Sequence, residues 1–384
     1  MPAQTTTTIR SRRIVTPDGV VDGTVTLSGS DIYDVQPGNG VGTQALDWGD
    51  DILMPGMIDI HTDNLEKHFM PRAGTQWDAV GAALAHDGQM ATAGVTTVLD
   101  SLSLHGRKNG LDRGEALPIM MAGMDEARKN GSLRVDHKLH LRCEVSNPGL
   151  YELLDPFMKN PNLAMLSVMD HTPGQGQSGT MEQWRAKQAK KGLTEAEIQA
   201  QLDSAMEWRD LDGAREKRSG VAQRARENSI PLASHDDATR ENIELAAELG
   251  CTIAEFPISH EAAEAARDHG MISVMGAPNL VRGGSHSGNA SAGDIINAGL
   301  LDGLCSDYVP LSMLRAAFMM TEEPFNMGLS QAVGYVTSVP AQMSKLTDRG
   351  EVKTGLRADL LRVHHTPGGW PVIREVWSIG NRVT

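Results

Sequence analysis

Short, almost wholly apolar runs recur through the middle of the chain, at Met57 to Ile60, Thr96 to Asp100, Leu139 to Glu144, Ala164 to Asp170, Pro231 to His235, Thr252 to Phe256, Ile272 to Gly276 and Gly303 to Ser306. Apolar runs of this length, without polar alternation, predict strands buried on both faces. Between them lie stretches of helical period such as Glu241 to Leu249 and His260 to Arg267. Strand and helix in strict alternation predict a parallel sheet with helices outside, and eight such units predict a TIM-type (β/α)8 barrel of the α/β class.

The pattern differs at both ends. Thr24-Val-Thr-Leu-Ser and Asp31-Ile-Tyr-Asp-Val alternate apolar with polar residues, and the style returns at Gly355-Leu-Arg-Ala-Asp359 and Val372-Ile-Arg-Glu-Val-Trp-Ser-Ile-Gly380. Alternation broken by glycine turns predicts short half-buried strands, so residues 1–54 and 346–384 are expected to build one small β-sandwich domain beside a barrel of residues 55–345. One stretch interrupts the barrel rhythm. Residues 172–228 are Gly-rich and then strongly charged, with helix candidates at Met181 to Lys191 and from Leu193 onward, where Thr194 and Glu197 have capping-box spacing. This insertion is expected to lie over the barrel mouth as a candidate lid.

Composition narrows the function classes. With 384 residues, 40% of them hydrophobic, the chain has material for a large core. No apolar run approaches the roughly 20 residues that span a bilayer, and the polar start lacks a signal segment, so a cytoplasmic address is expected without membrane association. The three cysteines show no paired spacing and are expected to be reduced and buried. A net charge of -14 argues against nucleic-acid binding. A small polyanion remains compatible with it, given a local cluster of Arg and Lys together with divalent cations.

The predicted strand ends carry the chemistry. His61 and Asp63 stand two residues apart at the end of the first run, on one face of a strand. Similar ends follow at Glu144, Asp170-His171, His235-Asp236-Asp237 and Asp307. Imidazole and carboxylate donors gathered at the carboxyl face of a barrel suit zinc or manganese. For a single pair, strand and helix capping would explain as much; the recurrence favours a metal centre. His86, His105, His137, His140, His269, His364 and His365 are expected to be structural.

Together these features resemble the amidohydrolase superfamily. The strings His61-Thr-Asp-Asn-Leu-Glu-Lys-His, Ala85-His-Asp-Gly-Gln, Gly94-Val-Thr-Thr-Val-Leu-Asp, His140-Leu-Arg-Cys-Glu, Met169-Asp-His-Thr-Pro-Gly-Gln, Ala233-Ser-His-Asp-Asp-Ala-Thr, Ala254-Glu-Phe-Pro, Met275-Gly-Ala-Pro-Asn and Arg282-Gly-Gly-Ser-His-Ser-Gly-Asn are similar to the PhnM-type diphosphatases of phosphonate catabolism. The chain departs from that pattern at Pro257-Ile-Ser-His260, where those proteins carry a Thr-rich loop, and in a longer polar N-terminus.

The resemblance implies hydrolysis of α-D-ribose 1-methylphosphonate 5-triphosphate to the 5-phosphate and pyrophosphate, in the C-P lyase pathway. It also implies a centre of two divalent ions, zinc or else manganese. His61 and Asp63 would hold one ion and His171 and His235 the other, with Glu144 bridging and Asp307 both binding an ion and moving the proton as the catalytic residue. Asp236 and Asp237 would orient His235. The phosphates are expected at Lys67, Arg72, Arg142, Arg282, His286 and Asn289, although strand alternation is also able to turn Arg142 away. The nearest rival is a metal-dependent amidohydrolase cleaving a C-N bond; a metal-binding scaffold without catalysis is the rival from another class. A homodimer is the common expectation for a soluble enzyme.

Overall fold

The computed structural model describes residues 6–38, 45–105, 107–108, 111–174, 180–207, 209–285 and 289–384. Eight parallel strands run in the order Met57–Thr62, Val95–Ser103, Asp136–Glu144, Leu163–Met169, Leu232–His235, Ile253–Glu255, Ile272–Gly276 and Gly303–Cys305. Each pairs with the next along the chain. The first and last meet through a parallel bridge between Thr62 and Asp307, with the Asp307 amide donating to the His61 carbonyl and the Asp63 amide to the Asp307 carbonyl, each at 2.9 Å. The TIM-type barrel expected from the eight apolar runs is therefore closed, and all eight strands fall on those runs.

Side chains that point inward fill the barrel. Ile58, Ile60, Leu99, Met165, Ala233, Ile253, Val274 and Cys305 form one buried cluster, and the helix Ser338–Met343 contributes Ala341 and Met343 to it. The opposite face of the same strands packs on helices. Leu139, Leu141, Cys143 and Leu166 join Met120, Met124, Val221 and Ile243 in a larger cluster, which is why these strands read as continuously apolar. Where the helices Ala79–Thr92 and Arg113–Lys129 cross, a Cβ on Gly123 would lie 2.6 Å from the Ala79 carbonyl carbon, so the approach requires glycine.

The helices start at side-chain caps. Asp78 accepts from the Gly81 amide, Ser259 from the Ala262 amide, and Thr239 with Asn242 forms a reciprocal box. Thr194 and Glu197 bond as their spacing predicts. Residues 172–228 supply the helices Met181–Lys190, Glu195–Glu207 and Ala214–Glu227. The last of these packs Val221, Ala222 and Ala225 into the outer core.

The terminal segments form a single eight-stranded, mainly antiparallel sheet: Thr6–Thr16, Gly19–Ser28, Asp31–Pro37, Leu46–Asp47 and Ile52–Pro55 from one end, Leu360–His364, Val372–Ser378 and Asn381–Arg382 from the other. Instead of two separate layers, the sheet curls on itself. The Ile32 amide donates to the Leu356 carbonyl and the Ala358 amide to the Ser30 carbonyl, enclosing Ile9, Val25, Ile32, Leu53, Leu360 and Trp377. No helix among the described residues is long and apolar enough to cross a membrane. Cys143, Cys251 and Cys305 are free and buried.

Candidate active site

A cavity of about 650 Å³ opens at the carboxyl ends of the barrel strands, the face at which barrel loops converge. His61, Asp63, Lys67, Arg142, His171, His235, Asp236, Arg282, Asn289 and Asp307 all line it. Ten residues from distant parts of the chain are thus gathered round one space. None of the described residues between Thr172 and Asn228 lines it.

The histidines are held from behind. Glu255, at the end of the sixth barrel strand, is wholly buried, and its two oxygens lie 2.7 Å from Nδ1 of His61 and 2.6 Å from Nδ1 of His235. Burial opposes its charge, but His61, His140 and His235 outweigh that and keep the carboxyl well below the usual range. A carboxylate only accepts, so both Nδ1 atoms carry the proton and both Nε2 atoms face the cavity. The rings of His61 and His235 stack, centroids 5.8 Å apart, and Phe256 abuts both edgewise.

Glu144 does the same for His171. Its carboxylate is 2.9 Å from His171 Nδ1 and accepts from the His171 amide, from Ser146 and from Arg209. Burial is the largest influence and opposes ionisation here too, but His171, His105 and Ser146 together outweigh it and draw the carboxyl down to about 2. Glu144 is wholly buried and absent from the cavity lining. The bridge expected of it therefore does not match its place here: one oxygen is engaged by the His171 ring and the other by Ser146 and Arg209, and neither faces the cavity.

Asp236 also departs from expectation. Glu255, not Asp236 or Asp237, occupies the second nitrogen of His235, and Asp236 stands on the cavity side, 3.5 Å from His235 Nε2 and 3.8 Å from His171 Nε2. His171, His235 and Asp236 each offer a donor atom within 4.8 Å of the others. Asp237 is buried and lines a separate space with Arg218 and Asp170.

Asp236 and Phe256 follow a barrel strand directly and Asp307 follows one by two residues, and all three adopt left-handed backbone, with φ of 58°, 59° and 53°. Such φ values are uncommon outside glycine and most costly for a bulky residue such as Phe256. The turn aims the Asp236 and Asp307 side chains back over the barrel mouth. Gly276 leaves room for one of them, since a Cβ there would lie 3.2 Å from Asp307 Oδ2.

Cations line the other wall. Lys67 Nζ is 3.2 Å from both the Asn64 side-chain oxygen and the Tyr308 carbonyl, and an Arg282 guanidinium nitrogen is 3.3 Å from the Tyr308 hydroxyl. Arg142 points into the cavity, 3.0 Å from Asp63 and 3.1 Å from His235 Nε2. Arg72 lies in an exposed turn bridged to Thr75 and is not among the lining residues. His286 lies outside the described residues.

Three of the histidines expected to be structural are buried in hydrogen-bonded settings. His140 is buried and hydrogen-bonded at both nitrogens, to Ile60 and Ser167, and burial pushes it down to about 3. His86 and His137 share the carboxylate of Asp100, at 2.7 and 2.9 Å. Glu255, Phe256 and Tyr308 were not singled out in the sequence. The first two sat in plain view in Ala254-Glu-Phe-Pro, at the end of a predicted strand.

No family model matches the chain. It is 40% identical over 381 residues, 98% of its own length and 99% of the other, to the α-D-ribose 1-methylphosphonate 5-triphosphate diphosphatase of Escherichia coli K12. Among solved structures, N-acetyl-D-glucosamine-6-phosphate deacetylase from Mycobacterium smegmatis superposes with a TM-score of 0.66 at 16% identity, covering 98% of this chain and 100% of that one. The N-acetylglucosamine-6-phosphate deacetylase of Pasteurella multocida gives 0.66 at 12% identity, covering 99% and 100%. At those identities the deacetylases speak for the fold alone. The near full-length identity to the first protein goes further: the chain belongs to the α-D-ribose 1-methylphosphonate 5-triphosphate diphosphatase family.

Proposed function

We propose that the chain hydrolyses α-D-ribose 1-methylphosphonate 5-triphosphate to α-D-ribose 1-methylphosphonate 5-phosphate and pyrophosphate. The observation that carries this reading is one cavity lined both by imidazoles and carboxylates and by the cations Lys67, Arg142 and Arg282. A polyphosphate needs both in a protein of net charge -14. A neutral amide brings no negative charge to this cluster of cations, so the C-N hydrolase reading accounts for them poorly.

The donors at His171, His235 and Asp236 fit a divalent ion, with nitrogen and oxygen atoms of the kind zinc prefers and manganese accepts. The carboxylates Glu144 and Glu255 behind the rings fix the tautomers that such an ion requires. When bound, the ion supplies a lowered pKa for water and charge for phosphoryl oxygens.

The chain's own groups do the rest. Asp307 is placed to take the proton of the attacking water, in a backbone conformation fixed by bonds to His61 and Asp63. The water oxygen bonds to the α-phosphorus as the bridging P-O bond breaks, its electron pair leaving on pyrophosphate. Lys67 and Arg282 neutralise the two outer phosphates, so the leaving group departs without a general acid. The buried free thiols suit a reducing compartment, and the cytoplasm is the expected site of the reaction.

The test is phosphorus NMR of the zinc- or manganese-loaded protein with the sugar triphosphate. Pyrophosphate and a 5-monophosphate are expected. Orthophosphate with a diphosphate would move cleavage to the terminal bond, and an unchanged substrate would reject the reading.

A further inference from the structure

The expected centre of two ions has an occupant already. Arg142, late in the third barrel strand, sends its guanidinium between one ligand of each expected ion, with Nη1 at 3.0 Å from Asp63 Oδ1 and Nη2 at 3.1 Å from His235 Nε2. The side chain is buried. Building on the diphosphatase reading, we propose that Arg142 is the second cation of this centre, so that one divalent ion, at His171, His235 and Asp236, works beside a guanidinium that touches the reacting phosphoryl group.

Three observations support it. A guanidinium cannot give up its proton at working pH, so the charge beside Asp63 is permanent. His61 Nε2 lies 3.8 Å from the same Asp63 oxygen that Arg142 engages, and an ion at His61 and Asp63 would have to share that oxygen with a fixed positive charge. Two of the carboxylates that would offset the repulsion are spent elsewhere. Both oxygens of Glu255 serve the Nδ1 atoms of His61 and His235, and Glu144 is buried behind His171.

In the other half of the centre Arg142 reaches one ligand, His235, and there it donates to a nitrogen rather than claiming a carboxylate oxygen. His171 and His235 are each braced from behind by a carboxylate, and Asp236 faces their Nε2 atoms. When His235 gives its lone pair to an ion there, Nη2 of Arg142 is released as a donor toward the cavity while Nη1 stays on Asp63. A planar fork anchored on one prong and offering the other suits an equatorial phosphoryl oxygen, where negative charge develops as the P-O bond breaks. Its Nε is also buried and unpartnered, a further donor on the same group.

The protein stripped with chelator and reloaded with manganese decides the matter by counting ions per chain after gel filtration and by low-temperature electron paramagnetic resonance. One ion and an uncoupled six-line signal are expected, and His171→Ala should lower the count toward zero. Arg142→Met should release Asp63, raise the count above one, and cut kcat roughly 100-fold or more, with partial rescue by added guanidinium. Two ions or an exchange-coupled signal in the unaltered protein would overturn the proposal, as would an Arg142→Met protein with unchanged kcat. A single ion without pyrophosphate release would instead overturn the diphosphatase reading and leave the ion count standing.

Discussion

Oε1 of Glu255 lies 2.7 Å from Nδ1 of His61, and this contact decides which nitrogen His61 shows to the cavity. The other oxygen does the same for His235. Glu255→Gln keeps the shape but offers one imidazole a donor instead of an acceptor, forcing that ring into the wrong tautomer. Metal affinity is expected to fall roughly 10- to 100-fold, measured by competition with a chromophoric chelator, while circular dichroism stays unchanged. Equal affinity would mean that the rings are oriented by packing against Phe256 alone.

Asp307→Asn should preserve the fold, because asparagine tolerates the left-handed backbone that Asp307 adopts. It removes the proton acceptor. A drop in kcat of roughly 10²- to 10⁴-fold is expected, with a melting temperature close to that of the parent. A large drop in melting temperature would show that the side chain braces the barrel seam.

Lys67→Ala removes a charge from the phosphate wall while leaving the imidazole face intact. Loss of a charged hydrogen bond, about 1.5–3 kcal/mol, predicts a KM increase of roughly 10- to 100-fold, and product inhibition by pyrophosphate should weaken by a similar factor. If kcat falls and KM does not, Lys67 acts on the reacting bond and not on the outer phosphates.

Away from the cavity, His137 sits wholly buried against Asp100 and Asp87. Burial disfavours its charge, but the two carboxylates outweigh burial and raise it to about 9. The folded state therefore holds a proton that an unfolded histidine loses near 6.5. Its contribution is complete below about pH 6.5 and disappears as pH rises through 9, on the order of 3 kcal/mol. Urea unfolding across pH 6 to 10 should show this decline, and His137→Gln should flatten it. A parent profile that is already flat would mean that the imidazole is neutral in the fold.

The barrel was legible because a strand buried on both faces leaves an unbroken apolar run, and all eight runs were strands. Cavity residues at the ends of those runs were legible for the same reason: His61, Asp63, His171, His235 and Asp307 each follow apolar sequence directly. Sequence spacing does not report which side of an imidazole a carboxylate approaches. That is why Glu144 was assigned to the cavity although it stands behind His171, and why Asp236 was placed behind His235 although it stands in front. Glu255 escaped because it belongs to the strand, with Phe256 after it, and looked like one more core position. Arg142 was left between two faces by alternation, and only the closed barrel shows it pointing inward.

The barrel closes where its chemistry lies. Ser306 donates its amide to Asp59, a residue 247 positions earlier in the chain, and the neighbouring bonds join Asp307 to His61 and Asp63. As the chain is synthesised, the first strand waits for its last partner until nearly four-fifths of the residues have been joined. Until then its histidine and aspartate sit on an open sheet edge. A nascent or truncated chain can hold most of the donors and still lack the Asp307 turn, so the cavity is complete only once the ring is shut.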